Sequence, residues 1–315
     1  MELSVLFLGT AGSVPTPQRG LSATLIQRGS ERFLVDCGEG TQRQLIRIGI
    51  GINDISHVLL THLHADHYLG LPGLVKTWQL WGRTAPVAVY GPRGLSDFLD
   101  VLKRLIGKTD FPVTYHEIAP GGEIPFDDYR VVGIATDHKI SSIGYALIED
   151  ERPGRFDPEH ARALGVTPGP DFGRLQRGET VEGTNGPVRP EQVMGETRQG
   201  RKIVLTGDTR PCRSVVEVAR GADLLVHDST FTVEEADRAR QTMHSTAAEA
   251  AQVGKDADVK LLALTHMSFR YLPRQIIQEA RGVFDRIVMP NDFDRLVIPL
   301  PEKGDSYLLK AELVS

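Results

Sequence analysis

Cysteine is nearly absent: Cys37 and Cys212 are the only two in 315 residues. Two thiols so far apart in the chain argue against a disulfide framework and fit a reducing cytoplasm. No apolar run is long enough to cross a bilayer, so no membrane partner is expected. The first residues, Met1-Glu2-Leu3-Ser4-Val5-Leu6-Phe7-Leu8, lack a basic leader and a small-residue cleavage site and read as a strand, not a signal peptide. An excess of basic residues is also missing. The formal net charge is −5, which by itself does not suggest a nucleic-acid binder. That sum omits bound metal: two divalent ions would add about four positive charges at one place, where an anionic substrate would feel them. No internal repeat is visible.

What remains is the composition of a soluble globular protein, 40% apolar and 24% charged. The length suits one large α/β domain or two ordinary ones. Val5–Leu8 reads as a strand broken by Gly9-Thr10-Ala11-Gly12. Thr24–Ile26 and Arg32–Asp36 read as a hairpin about Gly29-Ser30. Helical spacing runs over Gln42–Ile48, Leu71–Trp81, Leu95–Ile106, Ala247–Val253 and Pro273–Phe284, with Ser245 or Thr246 as N-cap of the fourth. Further strands are expected at Val58–Leu60, Val87–Tyr90, Val113–Ile118, Tyr129–Ala135, Ile143–Ile148, Lys202–Thr206, Leu224–Val226, Val259–Leu264, Arg286–Met289 and Arg295–Ile298. Two runs of strands interspersed with helices predict an α/β fold of two packed sheets with helices outside, a four-layer αβ/βα sandwich. Between Glu149 and about Gly200, Pro, Gly and Arg become frequent and apolar periodicity fades. This stretch is too long for a plain connection within a compact domain. It reads as a flexible arm, residues 149–200, inserted into a single domain spanning 1–315, with one short helix at Pro158–Leu164.

The chemistry gathers in Thr61-His62-Leu63-His64-Ala65-Asp66-His67, which follows the buried strand Val58–Leu60. Strand ends are where α/β scaffolds place their sites. In an extended segment His62 and His64 point the same way and can share one metal ion. Asp66 and His67, past the start of the turn, reach a second. The alternative, a surface histidine run, fits neither the buried flank nor the acid within it. His138, Asp208 and His266 each stand just past another apolar strand. The expected arrangement gives His62, His64 and His138 to one ion and Asp66, His67 and His266 to the other, with Asp208 bridging. Zinc accepts such ligands without thiolate; manganese and iron accept N/O ligands as well. Two ions about 3.5–4 Å apart clamp an in-line displacement. His57, His116 and His160 read as structural or solvated.

These residues resemble the metallo-β-lactamase superfamily, whose His-x-His-x-Asp-His motif matches His62, His64, Asp66 and His67. A wider resemblance is to the tRNA 3′-processing endonucleases of the RNase Z family. It rests on Phe7-Leu8-Gly9-Thr10, Asp36-Cys37-Gly38-Glu39-Gly40-Thr41-Gln42, His138 with Ser142 and Gly144-Tyr145, Gly207-Asp208-Thr209, His244-Ser245-Thr246 and His266 through Tyr271, and includes Gly169-Pro170 in the arm. The resemblance implies the metallo-β-lactamase fold, two zinc ions per subunit, a homodimer and cleavage of the 3′ trailer of precursor tRNA.

The roles it implies are as follows. Asp66 is both ligand and base towards the attacking water, and His244 protonates the leaving 3′ oxygen. In the family a Glu orients that donor; here the position is Asp228, one methylene shorter, followed by Ser229 instead of Ala. Gly20 stands where bacterial relatives often carry Asn. Ser268 and Arg270 are assigned to the substrate phosphate, an arginine fork being suited to it. The arm is similar to the family's exosite, with Arg174 and Arg177 against backbone phosphates. Two other readings stand beside this one. A relative acting on a small phosphodiester or other ester needs neither the arm nor His244, and a non-catalytic RNA-binding protein would have lost metal ligands.

Overall fold

A computed structural model of the chain describes residues 1–311. It divides into two units, Met1–Ile148 with Arg201–Ser315, and Glu149–Gly200. The strands, in chain order, are β1 (Leu3–Gly9), β2 (Ala23–Arg28), β3 (Glu31–Val35), β4 (His57–Leu59), β5 (Val87–Gly91), β6 (Val113–Glu117), β7 (Glu123–Pro125), β8 (Tyr129–Ala135) and β9 (Ile143–Glu149). They continue with β10 (Val181–Gly183), β11 (Gly186–Val188), β12 (Lys202–Leu205), β13 (Leu224–Asp228), β14 (Leu262–Thr265), β15 (Ile287–Val288), β16 (Arg295–Val297) and β17 (Tyr307–Leu309).

The larger unit holds an eight-stranded sheet, ordered β17-β16-β1-β2-β3-β4-β5-β6, and a seven-stranded one, ordered β15-β14-β13-β12-β9-β8-β7. In each, a parallel run meets antiparallel strands: β3 to β6 and β12 to β15 are parallel, while β1 pairs antiparallel with β2 and β9 with β12. Side chains alternate between the faces of a strand, and here both faces are dry. Val5 and Phe7 face a core between the sheets, shared with Tyr145, Leu147, Ile203, Leu205 and Val226. Leu6 and Leu8 face a second core built with the helices Leu71–Leu80 and Leu95–Ile106. Val204, Leu225 and Leu264 face a third, built with Arg213–Ala219, Ala247–Asp256 and Pro273–Arg281. Three cores between four layers make the αβ/βα sandwich, and they explain why these strands read as near-continuous apolar runs.

Several elements differ from the sequence reading. The strand expected from Val259 begins at Leu262, because the helix before it runs to Asp256 and the Val259 N–H caps it on Gly254 O, 3.1 Å away. The helix expected to reach Phe284 ends at Arg281. Strands β7 and β17 and the helix Arg213–Ala219 were not anticipated, being short or half-exposed. Thr246 is the N-cap of the fourth predicted helix, accepting from the Glu249 N–H in a capping box.

The stretch 149–200 is more ordered than its composition suggests. It holds helices Pro158–Ala163, Pro170–Gln176 and Pro190–Val193 and the β10–β11 hairpin. Ala161, Val166, Leu175, Val181, Val188 and Val193 form a small core of their own. These residues are spaced too irregularly to register as a helix or strand period. No helix among the described residues is long and apolar enough to cross a membrane.

Candidate metal centre

Each proposed ligand stands at or just past a strand end or on the turn that follows. His62 and His64 leave β4 in extended backbone, and the short helix Ala65–Tyr68 then presents Asp66 and His67. His138 follows β8, Asp208 follows β12 and His266 follows β14 directly. Two of these turns depend on unusual backbone. Gly207 has φ 62°, and a Cβ on it would lie 2.7 Å from the Thr61 Cβ. His266 itself has φ 61°, and Gly12 leaves room for its ring, since a Cβ there would meet His266 Nδ1 at 2.6 Å. Ser13, Asp36 and Met243 also have positive φ. Non-glycine residues with positive φ are uncommon, and strained backbone gathers at functional sites.

Two groups of donor atoms result. His62 Nε2 lies 3.0 Å from His64 Nδ1, and His138 Nε2 lies 3.2 Å from the same atom. Asp208 Oδ2 stands 3.6 Å from His62 Nε2 and 3.3 Å from His67 Nε2. Its other oxygen is 3.3 Å from His266 Nε2, which in turn is 3.4 Å from Asp66 Oδ2. Asp208 thus faces both groups, with all ligand atoms of each group within 4.8 Å of one another. A third grouping, Asp208, Asp228, His244 and His266, satisfies the same distance. Asp228 is saturated, however: it accepts from Thr230 N and Oγ1, Thr209 N, Ser245 N and His244 Nδ1. Its oxygens are engaged by N–H and O–H donors and are poorly placed to ligate a cation.

The far nitrogens of four of the five ligand imidazoles are tied down. His67 Nδ1–H donates to Asp36 Oδ2 at 2.7 Å, and His62 Nδ1 meets Thr61 Oγ1 at 3.1 Å, whose hydroxyl donates to Asp36. His266 Nδ1–H meets Thr230 Oγ1 at 2.8 Å, whose hydroxyl donates to Asp228. His138 Nδ1–H donates to Met243 O at 2.8 Å. Fixing one ring nitrogen as N–H leaves the other as a lone pair aimed inwards, which is how proteins orient metal-binding imidazoles. Sequence reading missed Asp36, Thr61 and Thr230 as site residues. An Asp or Thr beside a strand end carries no local mark distinguishing it from a turn residue.

The residues fit a divalent metal. His67 Nε2 is buried, has no hydrogen-bond partner among the described residues and faces Asp66 and Asp208. Burial and the neighbouring imidazoles hold His62 and His64 below the ordinary histidine value, so both stay neutral. Burial pushes the Asp66 carboxyl up, but the His266 hydrogen bond and the charges of His67 and His266 outweigh it and keep it well below the usual range. Burial likewise opposes ionisation of Asp208, and His266, His67 and His244 overcome it. Burial lowers the His67 imidazole, but Asp208 and Asp36 raise it well above the ordinary value, so without a cation its inner nitrogen carries a proton that a divalent ion would displace.

A family model described as the metallo-beta-lactamase superfamily matches residues 17–266. The chain is 52% identical over 305 residues to ribonuclease Z of Haloferax volcanii, covering 95% of this chain and 96% of the relative. It is 46% identical over 301 residues to ribonuclease Z of Methanosarcina acetivorans, covering 94% and 98%. The chain belongs to the ribonuclease Z family. Among solved structures, the short form of human tRNase Z superposes with a TM-score of 0.68 at 28% identity, covering 95% of this chain and 99% of that one.

Despite its shorter side chain, Asp228 reaches His244: Oδ2 lies 2.9 Å from Nδ1. Burial lowers the His244 imidazole, but Asp228 and Asp208 raise it further, to about 9. Ser268 is buried near the site, while Arg270 is more open and its guanidinium lies 3.5 Å from Glu235. Within 149–200, Arg174 is bound to Glu179 at 3.0 Å and Asp171 at 3.2 Å, and Arg177 lies 3.4 Å from Glu179. His57 stacks on Phe33 at 4.8 Å between ring centres, and His116 and His160 are exposed.

Proposed function

We propose that this chain is a zinc-dependent endoribonuclease that removes the 3′ trailer of precursor tRNA by hydrolysing one phosphodiester. Membership of the ribonuclease Z family makes it a metal-dependent hydrolase of RNA phosphodiesters; the substrate, the metal and the roles below are the proposal. The observation that carries it is the convergence of His62, His64, Asp66, His67, His138, Asp208 and His266 in a chain matching ribonuclease Z over 95% of its length. Two zinc ions per subunit would be held by these seven, with manganese or iron as substitutes. When bound, such ions lower the pKa of the attacking water and offset charge growing on the phosphate.

The chain's own residues supply the rest. Asp66 stays ionised, so it accepts a hydrogen bond from the attacking water, aims it at phosphorus and takes the proton the water gives up. The water oxygen bonds to phosphorus as the bond to the 3′ oxygen breaks. His244, whose charged form Asp228 favours by holding Nδ1, donates its Nε2 proton to that oxygen. The products are a tRNA 3′-hydroxyl and a trailer bearing a 5′-phosphate. Ser268 and Arg270 bind a substrate phosphate, the guanidinium exchanging Glu235 for it. Arg174 and Arg177 exchange Glu179 for backbone phosphates away from the cut. The homodimer rests on the family resemblance alone, which sedimentation would check, and the two unpaired thiols suit the cytoplasm.

The test is incubation with 3′-extended precursor tRNA, with and without encoded CCA, in the presence and absence of chelator. Cutting at the trailer junction only without chelator is expected. Hydrolysis of bis(p-nitrophenyl) phosphate with the precursor left whole would instead favour a small phosphodiester.

A further inference from the structure

We propose that Arg210, paired with Glu249, is a positioning residue that holds the segment carrying His244. The inference rests on the reaction just proposed. Arg210 follows Asp208 by two residues, and its N–H donates to Asp137 O at 2.8 Å, beside His138. Its side chain is only 14% exposed. One guanidinium nitrogen, Nη1, donates to His244 O at 2.5 Å and to Glu249 Oε2 at 2.8 Å, while Nη2 donates to Glu249 Oε1. Glu249 Oε2 also accepts the Thr246 N–H at 2.9 Å.

The segment so gripped does two things at the site. Its His244 carries the proton for the leaving oxygen, and its Met243 carbonyl fixes the tautomer of His138. Met243 is in the left-handed region at φ 62°, a conformation that persists only when neighbours enforce it. No apolar side chain can bind a backbone carbonyl and a carboxylate together, and Lys lacks the planar fork that does so. Arg210, two residues past Asp208, therefore links the loops of His138 and His244: its backbone N–H holds the Asp137 carbonyl and its guanidinium holds the His244 carbonyl.

The experiment compares wild type with Arg210→Ala, Arg210→Lys and Glu249→Gln on precursor tRNA. Displacing a reacting group by about 1 Å costs roughly 100-fold in rate. Arg210→Ala is accordingly expected to lower kcat about 100-fold with KM changed less than about threefold, and Arg210→Lys to fall between. Glu249→Gln, which keeps the shape, is expected to lower kcat about tenfold and decides the matter if Arg210→Ala does not fold. Arg210 and Glu249 line a surface cleft of about 400 Å³. Guanidinium ion, well below denaturing concentration, should therefore enter and raise kcat of Arg210→Ala but not of wild type. Bound metal at saturating zinc, measured by mass spectrometry, should match wild type in stoichiometry. Unchanged kcat in both Arg210→Ala and Glu249→Gln overturns the role, as does a loss that merely follows the unfolded fraction and ignores guanidinium. A wild type that leaves the precursor uncut overturns the underlying reaction instead.

Discussion

Asp36 shows how much of this site lies in residues that bind nothing themselves. Its carboxylate receives His67 Nδ1–H directly and His62 through Thr61, so it sets two imidazoles at once. Removing such a partner typically weakens metal binding 10- to 100-fold. Asp36→Ala should therefore fold yet need about 10- to 100-fold more free zinc for half-saturation, measured against a competing chelator. At His244 the pH dependence has a defined sign. Its value is raised above the ordinary 6.5 to about 9, so the stability its charge contributes is full below about pH 6.5 and is lost as the pH rises through about 9. In metal-free protein, urea unfolding of wild type and His244→Gln should differ by about 3 kcal/mol at pH 6 and converge above about pH 9. A constant difference across that range would mean the Asp228 contact does not hold the proton. The His-x-His-x-Asp-His run was legible because its residue types have few other uses at a strand end. Asp36, Thr61 and Thr230 were not, because only the folded chain brings them against the ligand rings. The Glu235 and Glu179 partners of the proposed phosphate-binding arginines were hidden for the same reason.

At the scale of the element, the strands were legible where both faces are buried. Val5–Leu8 and Leu224–Val226 alternate between two cores and so appear in sequence as unbroken apolar runs. β17, with Tyr307 and Leu309 half exposed, gives no such run, and the residues of the 149–200 core are too sparse to show a period. The loops between strands and ligands are where an element's geometry becomes chemistry. Gly207→Ala must relieve both a left-handed φ and a collision with Thr61, the residue that orients His62. Shifting the loop moves Asp208, which faces both donor groups. Zinc titration followed by calorimetry should show at least one of two sites lost or weakened more than about tenfold, with the far-ultraviolet circular dichroism unchanged. Under the site, the sheets are joined by the Tyr145 hydroxyl, which donates to Leu60 O at 2.8 Å while fully buried. Tyr145→Phe leaves that carbonyl without its donor and should cost about 1–3 kcal/mol in denaturant unfolding.

For the whole molecule, the insertion and the body are separable by design of the chain. Ile148 and Lys202 are paired neighbours on β9 and β12, so a short turn can replace residues 149–200 without breaking the sheet. That deletion should raise KM for precursor tRNA and spare bis(p-nitrophenyl) phosphate; equal loss on both would count against an exosite. The net charge of −5 makes the same point from another side. With no basic surplus, attraction of an RNA depends on local charge, and two bound cations would supply most of it at the cut. The account as a whole is tested most directly by restoring zinc stepwise to chelated protein and following cleavage of 3′-extended precursor tRNA in a single turnover. It predicts no cleavage at zero metal and a rise that saturates at about two ions per chain. Full cleavage by metal-free protein would contradict it.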